Sequence, residues 1–203
     1  MTQEGIRGNE EFPDATNNTI LPFTRFIAGA ADYTICYYRQ DFGKTASDEN
    51  GVPRGKFIKT TSAHQLALSV IYYSPLQYMY WYDKPEDSQE EPELEFFDAV
   101  PTVWDDSKVI NGEIGQFITM ARKSGNDWFL GTITNNDGRE LKIPLSFLPK
   151  GKTYEARIYS DDPTVKTRTK VSIKKLSVNS TTVFDAKLIG SSGQAVWIKE
   201  VVK

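Results

Sequence analysis

The sequence predicts a mostly β fold in which residues 104–203 form an antiparallel β-sandwich of roughly seven or eight strands. Within this part, residues 141–147, 154–158 and 184–188 alternate apolar and polar side chains, as strands with one buried face do. Turn-forming residues separate the strands at intervals of about 10–15 residues, which is typical of a sandwich or meander. The inward-facing positions should include Leu141, Ile143, Leu145, Tyr154, Ile158 and Phe184.

Residues 61–81 predict a helix that precedes the sandwich. Its apolar residues follow the i, i+3, i+4, i+7, i+8 spacing of one helix face, and they are Ala63, Leu66, Ala67, Val70 and Ile71. A hydroxyl of Thr60, Thr61 or Ser62 can cap its first turn, and Pro75 ends or kinks it.

The first sixty residues show no clean period of 2 or 3.6. Glycines and prolines break them into short apolar clusters, a pattern typical of functional loops that lean on a larger scaffold. We therefore expect residues 1–58 to be poorly packed when the chain is isolated.

An acidic, proline-containing stretch, residues 83–98, separates the helix from the sandwich. Its many carboxylates predict a solvated linker between two structural units. A calcium site within it is an alternative, although the stretch has no recognised calcium-loop signature.

Composition excludes several classes of function. The formal net charge is only −3, which gives no strong field for nucleic acid or an anionic membrane. Cys36 is the single cysteine, so an internal disulfide cannot form and a four-ligand Cys/His zinc site has too few ligands. No apolar run is long enough for a membrane span, and the first residues lack the basic and apolar regions of a signal peptide.

Six short strings, in order along the chain, resemble glycoside hydrolase family 97. They are residues 4–10 (EGIRGNE), 21–26 (LPFTRF), 32–34 (DYT), 60–68 (TTSAHQLAL), 74–77 (SPLQ) and 100–105 (VPTVWD). The resemblance implies a partial (β/α)₈-barrel segment, made of loops and one or two helices, followed by the C-terminal β-sandwich. It divides the chain into a barrel remnant at 1–82, an acidic linker at 83–103 and a sandwich domain at 104–203.

The same resemblance implies an activity and a cofactor. Members of the family hydrolyse α-glucosidic or α-galactosidic bonds with calcium near the active site. Glu10 matches the general acid that protonates the leaving oxygen, and Glu4 matches a calcium ligand. Glu11 would take the place of Glu10 if the alignment slipped by one residue. The chain departs from the family pattern at Asn17 and over residues 30–36, which leaves the preferred sugar open.

The chemistry of Glu10 and Glu4 requires a bent chain. Six residues separate the two carboxylates, so they would point to different faces of a helix and lie roughly 20 Å apart along a strand. Gly5 and Gly8 permit the bend, and barrel active sites are built from loops. From spacing alone, these glutamates are ordinary surface acids.

Other chemically capable side chains have simpler interpretations. His64 is expected to pack or to hydrogen-bond beside its helix, and Arg7 and Arg25 to hold loops together. The four tryptophans could form a sugar-stacking platform, but core or interdomain packing is favoured. They are Trp81, Trp104, Trp128 and Trp197.

We therefore expect the C-terminal part of a calcium-dependent α-glycosidase that is inactive as this chain alone. The alternative is a non-catalytic sandwich module for domain packing, oligomerisation or carbohydrate binding. The expected partners are a glycoside or oligosaccharide in the full-length enzyme and, as an open alternative, further copies of the chain. The chain itself does not indicate its location, and the resemblance implies a periplasmic or secreted protein.

Overall fold

The computed structural model describes residues 14–36, 59–80 and 91–201. The described residues include three α-helices, α1 at Ala15–Ile20, α2 at Ser62–Ile71 and α3 at Glu95–Ala99, and short 3-10 helices at Leu21–Phe23, Arg25–Ala28 and Pro92–Leu94. Two short strands precede the sandwich, β1 at Tyr33–Cys36 and β2 at Gln77–Tyr80. The sandwich strands are β3 Asp106–Glu113, β4 Phe117–Ser124, β5 Asp127–Thr134, β6 Arg139–Pro144, β7 Tyr154–Asp161, β8 Val171–Val178, β9 Val183–Leu188 and β10 Gly193–Glu200.

The C-terminal part is an antiparallel β-sandwich of eight strands, as the sequence predicts. Six strands form one sheet in the order β3-β4-β5-β10-β7-β8, and β6 pairs with β9 to form the second layer. A β-bulge between Val109 and Asn111 interrupts the edge strand β3. The other edge of the large sheet is β8.

The predicted inward positions lie between the two layers. Ile143 and Leu145 are fully buried, and Leu141 is half-buried against the same cluster. Tyr154, Ile158 and Phe184 are buried there as well, together with Val196 and Ile198 of β10. The alternation that predicted these strands therefore reports their burial correctly.

The opposite face of the large sheet is covered by α2, by Leu21, Phe23 and Phe26, which follow α1, and by Leu94, Phe96 and Phe97 at α3. Strand β5 is consequently buried on both faces, with Phe129 towards α2 and Leu130 towards the β6–β9 layer. A strand buried on both faces shows no apolar–polar alternation. This explains why β5 shows no apolar–polar alternation in the sequence.

Helix α2 confirms the predicted stripe and cap. The Thr61 hydroxyl accepts the His64 amide at 3.2 Å, and the helix ends at Ile71, four residues before Pro75. Every residue of the helix is buried, including the polar Ser62, Gln65 and Ser69. A stripe of five apolar residues thus understates how deeply the helix lies in the molecule.

Strands β1 and β2 pair in parallel, with Tyr33 opposite Gln77 and Cys36 opposite Tyr80. Helix α2 lies between them in sequence, so the three elements form a strand–helix–strand unit. Such a unit is the repeat of a (β/α)₈ barrel. The predicted fold class, a barrel segment followed by a sandwich, agrees with this arrangement.

The prediction of a solvated stretch is wrong for Glu91 and Glu93, although Pro92 and Asp98 are exposed. Glu91 is 4% exposed and receives two hydrogen bonds from Arg168, while Glu93 is fully buried and accepts the Thr169 hydroxyl. Glu95 accepts the Tyr159 hydroxyl at 2.8 Å. Glu91 and Glu93 are buried and Glu95 is half-buried because donors from the sandwich meet them, which charge counting along the sequence cannot reveal. The domain boundaries stay a prediction.

The expectation of poor packing in residues 1–58 is also wrong for α1. Ala15, Asn18 and Thr19 are buried, and the Thr19 carbonyl accepts the Gly115 amide of the sandwich at 3.3 Å. Helix α1 packs because it contacts the large sheet of the sandwich, which is part of this chain. Residues 1–13 and 37–58 lie outside the described part.

Candidate functional site at the helix–sheet junction

The residues predicted to carry the chemistry, Glu4 and Glu10, lie outside the described residues, as do Glu11, Arg7 and Trp81. Their roles stay predictions. Within residues 14–36, 59–80 and 91–201, no three His, Cys, Asp or Glu side chains come together as metal ligands. The calcium prediction concerns Glu4 and stays a prediction.

The polar cluster described best lies where α2 meets the sheet. His64 is completely buried, with its Nδ1 3.2 Å from the Ser192 carbonyl and its Nε2 3.0 Å from the Asn18 side-chain nitrogen. These neighbours assign a neutral ring that donates from Nδ1 and accepts at Nε2. Tyr72 donates to the other side-chain atom of Asn18 at 3.0 Å. His64 thus joins α1, α2 and the loop before β10, as its interpretation as a hydrogen-bonding helix residue predicts.

Burial controls the charge of His64. Removal from water lowers the pKa of the imidazole from 6.5 to about 4, although the backbone carbonyls of Ser192 and Ser191 oppose this change. The ring is neutral near neutral pH. It is shielded from solvent and hydrogen-bonds Ser192 and Asn18 of neighbouring segments, so its role is to position them.

Asp161, at the end of β7, holds the first turn of the same helix. Its carboxylate accepts the Thr61 hydroxyl at 2.6 Å and the Ala63 amide at 3.4 Å. Burial raises the pKa of the carboxyl from 3.8 to about 6, against the hydrogen bonds from Thr61 and the Ala63 and Gly193 backbones. A carboxylate at a helix N-terminus also meets the positive end of the helix dipole.

Two glycines let α2 lie directly on the sheet backbone. A Cβ at Gly131 of β5 would lie 2.5 Å from the Ala67 carbonyl oxygen, and one at Gly193 of β10 would lie 2.7 Å from the His64 Cα. Neither position accommodates a side chain unless the helix moves. The glycines are thus required by close approach.

Arg122, on β4, closes the other end of the helix. Its Nε donates to the Val70 carbonyl at 2.6 Å, its Nη2 to the Ile71 carbonyl at 3.2 Å, and its Nη1 to the Ser107 hydroxyl at 2.9 Å. The guanidinium is buried, and burial lowers its pKa to about 10. A cation at the C-terminus of a helix satisfies carbonyls that lack partners within the helix.

Replacing Arg122 by Met should therefore lower the free energy of unfolding by about 2 kcal/mol, because two buried carbonyls lose a charged donor. Arg122→Lys, which keeps the charge but not the planar fork, should fall between Met and the natural residue. Urea unfolding followed by tryptophan fluorescence measures both variants. Equal stability of all three proteins would show that Arg122 does not hold the helix.

The remaining candidates are structural where they are described. Arg25 donates to the carbonyls of Gly29 and Ala30, so it holds a loop. Trp128 is buried, and Trp104 and Trp197 are half-buried and pack against the core beside Phe129. Packing therefore accounts for these three tryptophans, as favoured from the sequence.

The junction has no nucleophile–base pair and no opposed carboxylates among its described members. What it does is fix the strand–helix–strand unit on the sandwich at three points: Asp161 at the start of α2, His64 along it and Arg122 at its end. The sequence singled out only His64 of these. Asp161 and Arg122 lie on strands, and no sequence motif around either residue indicates its contact with α2.

Comparison with known proteins identifies relatives of this chain. A family model described as "Glycosyl-hydrolase 97 C-terminal, oligomerisation" matches residues 103–199. A retaining alpha-galactosidase from Bacteroides thetaiotaomicron is 33% identical over 168 residues, which cover 78% of this chain and 24% of that protein. A probable retaining alpha-galactosidase from Streptomyces bingchenggensis is 30% identical over 148 residues, covering 71% and 21%.

Among solved structures, a glycoside hydrolase family 97 enzyme from Pseudoalteromonas sp. strain K8, in complex with acarbose, superposes with a TM-score of 0.79. It is 31% identical and covers 95% of this chain and 30% of that enzyme. The chain thus spans about a quarter of the length of the curated relatives it matches. No helix in the described part of the chain is long and apolar enough to cross a membrane.

Proposed function

Because the chain belongs to glycoside hydrolase family 97, as its C-terminal portion, we propose that it completes an α-glycosidase whose other parts are supplied by upstream sequence. The observation that carries this proposal is the structural likeness to a family enzyme over 95% of the chain. It includes the parallel strand–helix–strand unit, so the likeness extends beyond the sandwich.

The substrate class we favour is the α-galactoside, since the two curated relatives described above are named a retaining and a probable retaining alpha-galactosidase. In this proposal Glu10 protonates the leaving oxygen, with Glu11 as the alternative. The second carboxylate that such hydrolysis requires comes from upstream sequence. Glu4 would contribute one of the six to eight oxygen ligands of a calcium ion, which supplies positive charge near the sugar.

The proposed role of residues 103–199 is to hold the barrel and to join subunits. The description of the family model that matches these residues names oligomerisation. The junction of α2 with the sheet supports the first half of this role, because it ties barrel-type elements to the sandwich. We also propose that the protein is periplasmic or secreted, as the resemblance to family 97 implies.

The test compares hydrolysis of p-nitrophenyl α-galactoside and α-glucoside, with added calcium, by this chain and by a chain extended with the upstream barrel. The short chain should be inactive and the extended chain active, with α-galactoside preferred. Glu10→Gln in the extended chain should lose at least about a hundredfold in rate on an α-galactosyl disaccharide, because a sugar leaving group needs general-acid assistance whereas p-nitrophenolate departs without it.

Turnover by the short chain that Glu10→Gln abolishes would contradict the need for an upstream barrel. Activity of the extended chain on that disaccharide that survives Glu10→Gln but not Glu11→Gln would move the acid to Glu11. An extended chain that is inactive on both glycosides, although folded, would overturn the proposed activity.

A further inference from the structure

We propose that two copies of this chain pair through their β8 edge strands, antiparallel and centred on Leu176, so that two six-stranded sheets become one. The proposal rests on the oligomerisation role proposed above and names its surface. Residues Lys174, Lys175, Leu176 and Ser177 of this edge are exposed. Leu176 is 47% exposed and Val201 48%, and they line a groove of about 300 Å³ with Tyr154 and Glu155.

The backbone of β8 presents free hydrogen-bonding groups at alternate residues. The Asp162 amide donates to the Lys170 carbonyl at 2.8 Å, in register with the β7–β8 pairing. On the far side of β7, the Val201 amide donates to the Thr153 carbonyl at 3.1 Å. Both bonds require even-numbered residues of β8 to face β7. Lys175 and Ser177 therefore direct their amides and carbonyls outward.

These outward groups fit a two-fold axis at Leu176. Lys175 of one copy then lies opposite Ser177 of the other, and the two pairs exchange four backbone hydrogen bonds. Leu176 faces its own counterpart in a non-hydrogen-bonded pair, where the Cα atoms approach to about 4.5 Å. A symmetric dimer requires such a self-complementary patch.

Charge selects this register. Glu155 lies beside Ser177 on the same face of the sheet. With Leu176 at the axis, the long Lys175 side chain reaches across the small Ser177 of the second copy towards its Glu155. Centring the pair on Lys175 would instead oppose two lysines, which is unfavourable. Centring it on Ser177 would place Lys175 opposite Asn179, away from Glu155.

The other edge suits pairing less well. Strand β3 carries the bulge between Val109 and Asn111, and bulges twist an edge away from a partner strand. Lysines are a common protection of edge strands, but on β8 one register converts Lys175 into an intermolecular ion-pair donor. Of the two edges of the six-stranded sheet, β8 is thus the regular one.

Sedimentation velocity over a range of concentrations tests the proposal. The natural chain should dimerise, and Leu176→Lys should weaken the dimer at least about tenfold in Kd, as expected for the centre of an interface. Lys175→Glu should weaken it as well. The matched control is Val183→Lys, which changes an equally exposed residue (51%) on β9 and should leave the dimer intact.

Crosslinking tests the axis directly. In a Cys36→Ser background, Leu176→Cys should form a disulfide between copies, because opposed residues lie within bonding reach. Lys174→Cys should not, since its counterpart would lie four residues along the strand, roughly 13 Å away. A dimer that Leu176→Lys leaves unchanged, or that crosslinks at 174 and not at 176, overturns this interface but retains the proposed oligomerisation. A chain that is monomeric at all concentrations overturns both and leaves the proposed hydrolysis unaffected.

Discussion

Gly131→Ala is expected to lower the free energy of unfolding by about 3 kcal/mol or more. The added methyl group would lie 2.5 Å from the Ala67 carbonyl oxygen, 2.9 Å from the Ile71 side chain and 3.2 Å from Val70 Cβ. The first of these neighbours is helix backbone and cannot rotate away. Helix α2 must therefore shift off the sheet along its length, which exceeds the usual cost of adding one methylene to a core.

Denaturant unfolding measures the loss, and hydrogen exchange locates it. Amides of α2 should lose protection in Gly131→Ala more than those of the β6–β9 layer, which lies on the other face of the sheet. Gly193→Ala should behave alike, because its Cβ would meet the His64 Cα at 2.7 Å.

The control is Gly151→Ala, whose added Cβ would meet nothing within 4 Å. Gly151 has a φ of 79°, so alanine there costs only the left-handed backbone, about 1 kcal/mol. If Gly131→Ala were no more destabilising than Gly151→Ala, the helix would not be in close contact with the sheet.

The sequence predicts those parts of this fold in which burial follows one simple period. Strands β6, β7 and β9 each have one polar face, and their inward residues were identified correctly. Strand β5 is buried on both faces, and Gly131 within it resembles any strand glycine until α2 is seen above it. The importance of such a residue comes from a neighbour far away in sequence, which periodicity does not report.

Sequence patterns are limited in the same way for the acidic stretch and for the predicted catalytic glutamates. The glutamates at 91, 93 and 95 are typical of a solvated stretch, yet Arg168, Thr169 and Tyr159 meet them from the sandwich. Glu4 and Glu10 were identified by resemblance, because two acids six residues apart have no spacing that specifies hydrolysis. Both glutamates lie outside the described residues, so their roles stay predictions.

His64 and Asp161 should affect stability in opposite directions as the pH falls. The pKa of His64 is lowered from 6.5 to about 4, so the unfolded chain binds this proton first. Its contribution to stability is complete above pH 6.5 and is lost as the pH falls towards 4. A shift of this size corresponds to about 3 kcal/mol.

Asp161 acts in the opposite sense over nearly the same range. Its pKa is raised from 3.8 to about 6, so the folded chain binds this proton first. Its contribution is complete below pH 3.8 and is lost as the pH rises through 6, again by about 3 kcal/mol. The two effects should nearly cancel, so these groups together should leave the stability of the natural chain almost level between pH 6.5 and 4.

Single substitutions should separate the two effects. In His64→Gln the acid-induced loss disappears, so stability relative to the natural chain should rise as the pH falls from 6.5 to 4. In Asp161→Asn the acid-induced gain disappears, so relative stability should fall over that interval. Denaturant unfolding at a series of pH values measures these differences, and using differences removes the contribution of carboxylates common to all three proteins. Parallel pH profiles for the three proteins would show that neither group titrates differently in the folded and unfolded chain. The junction of α2 with the sheet would then not exclude water from His64 and Asp161.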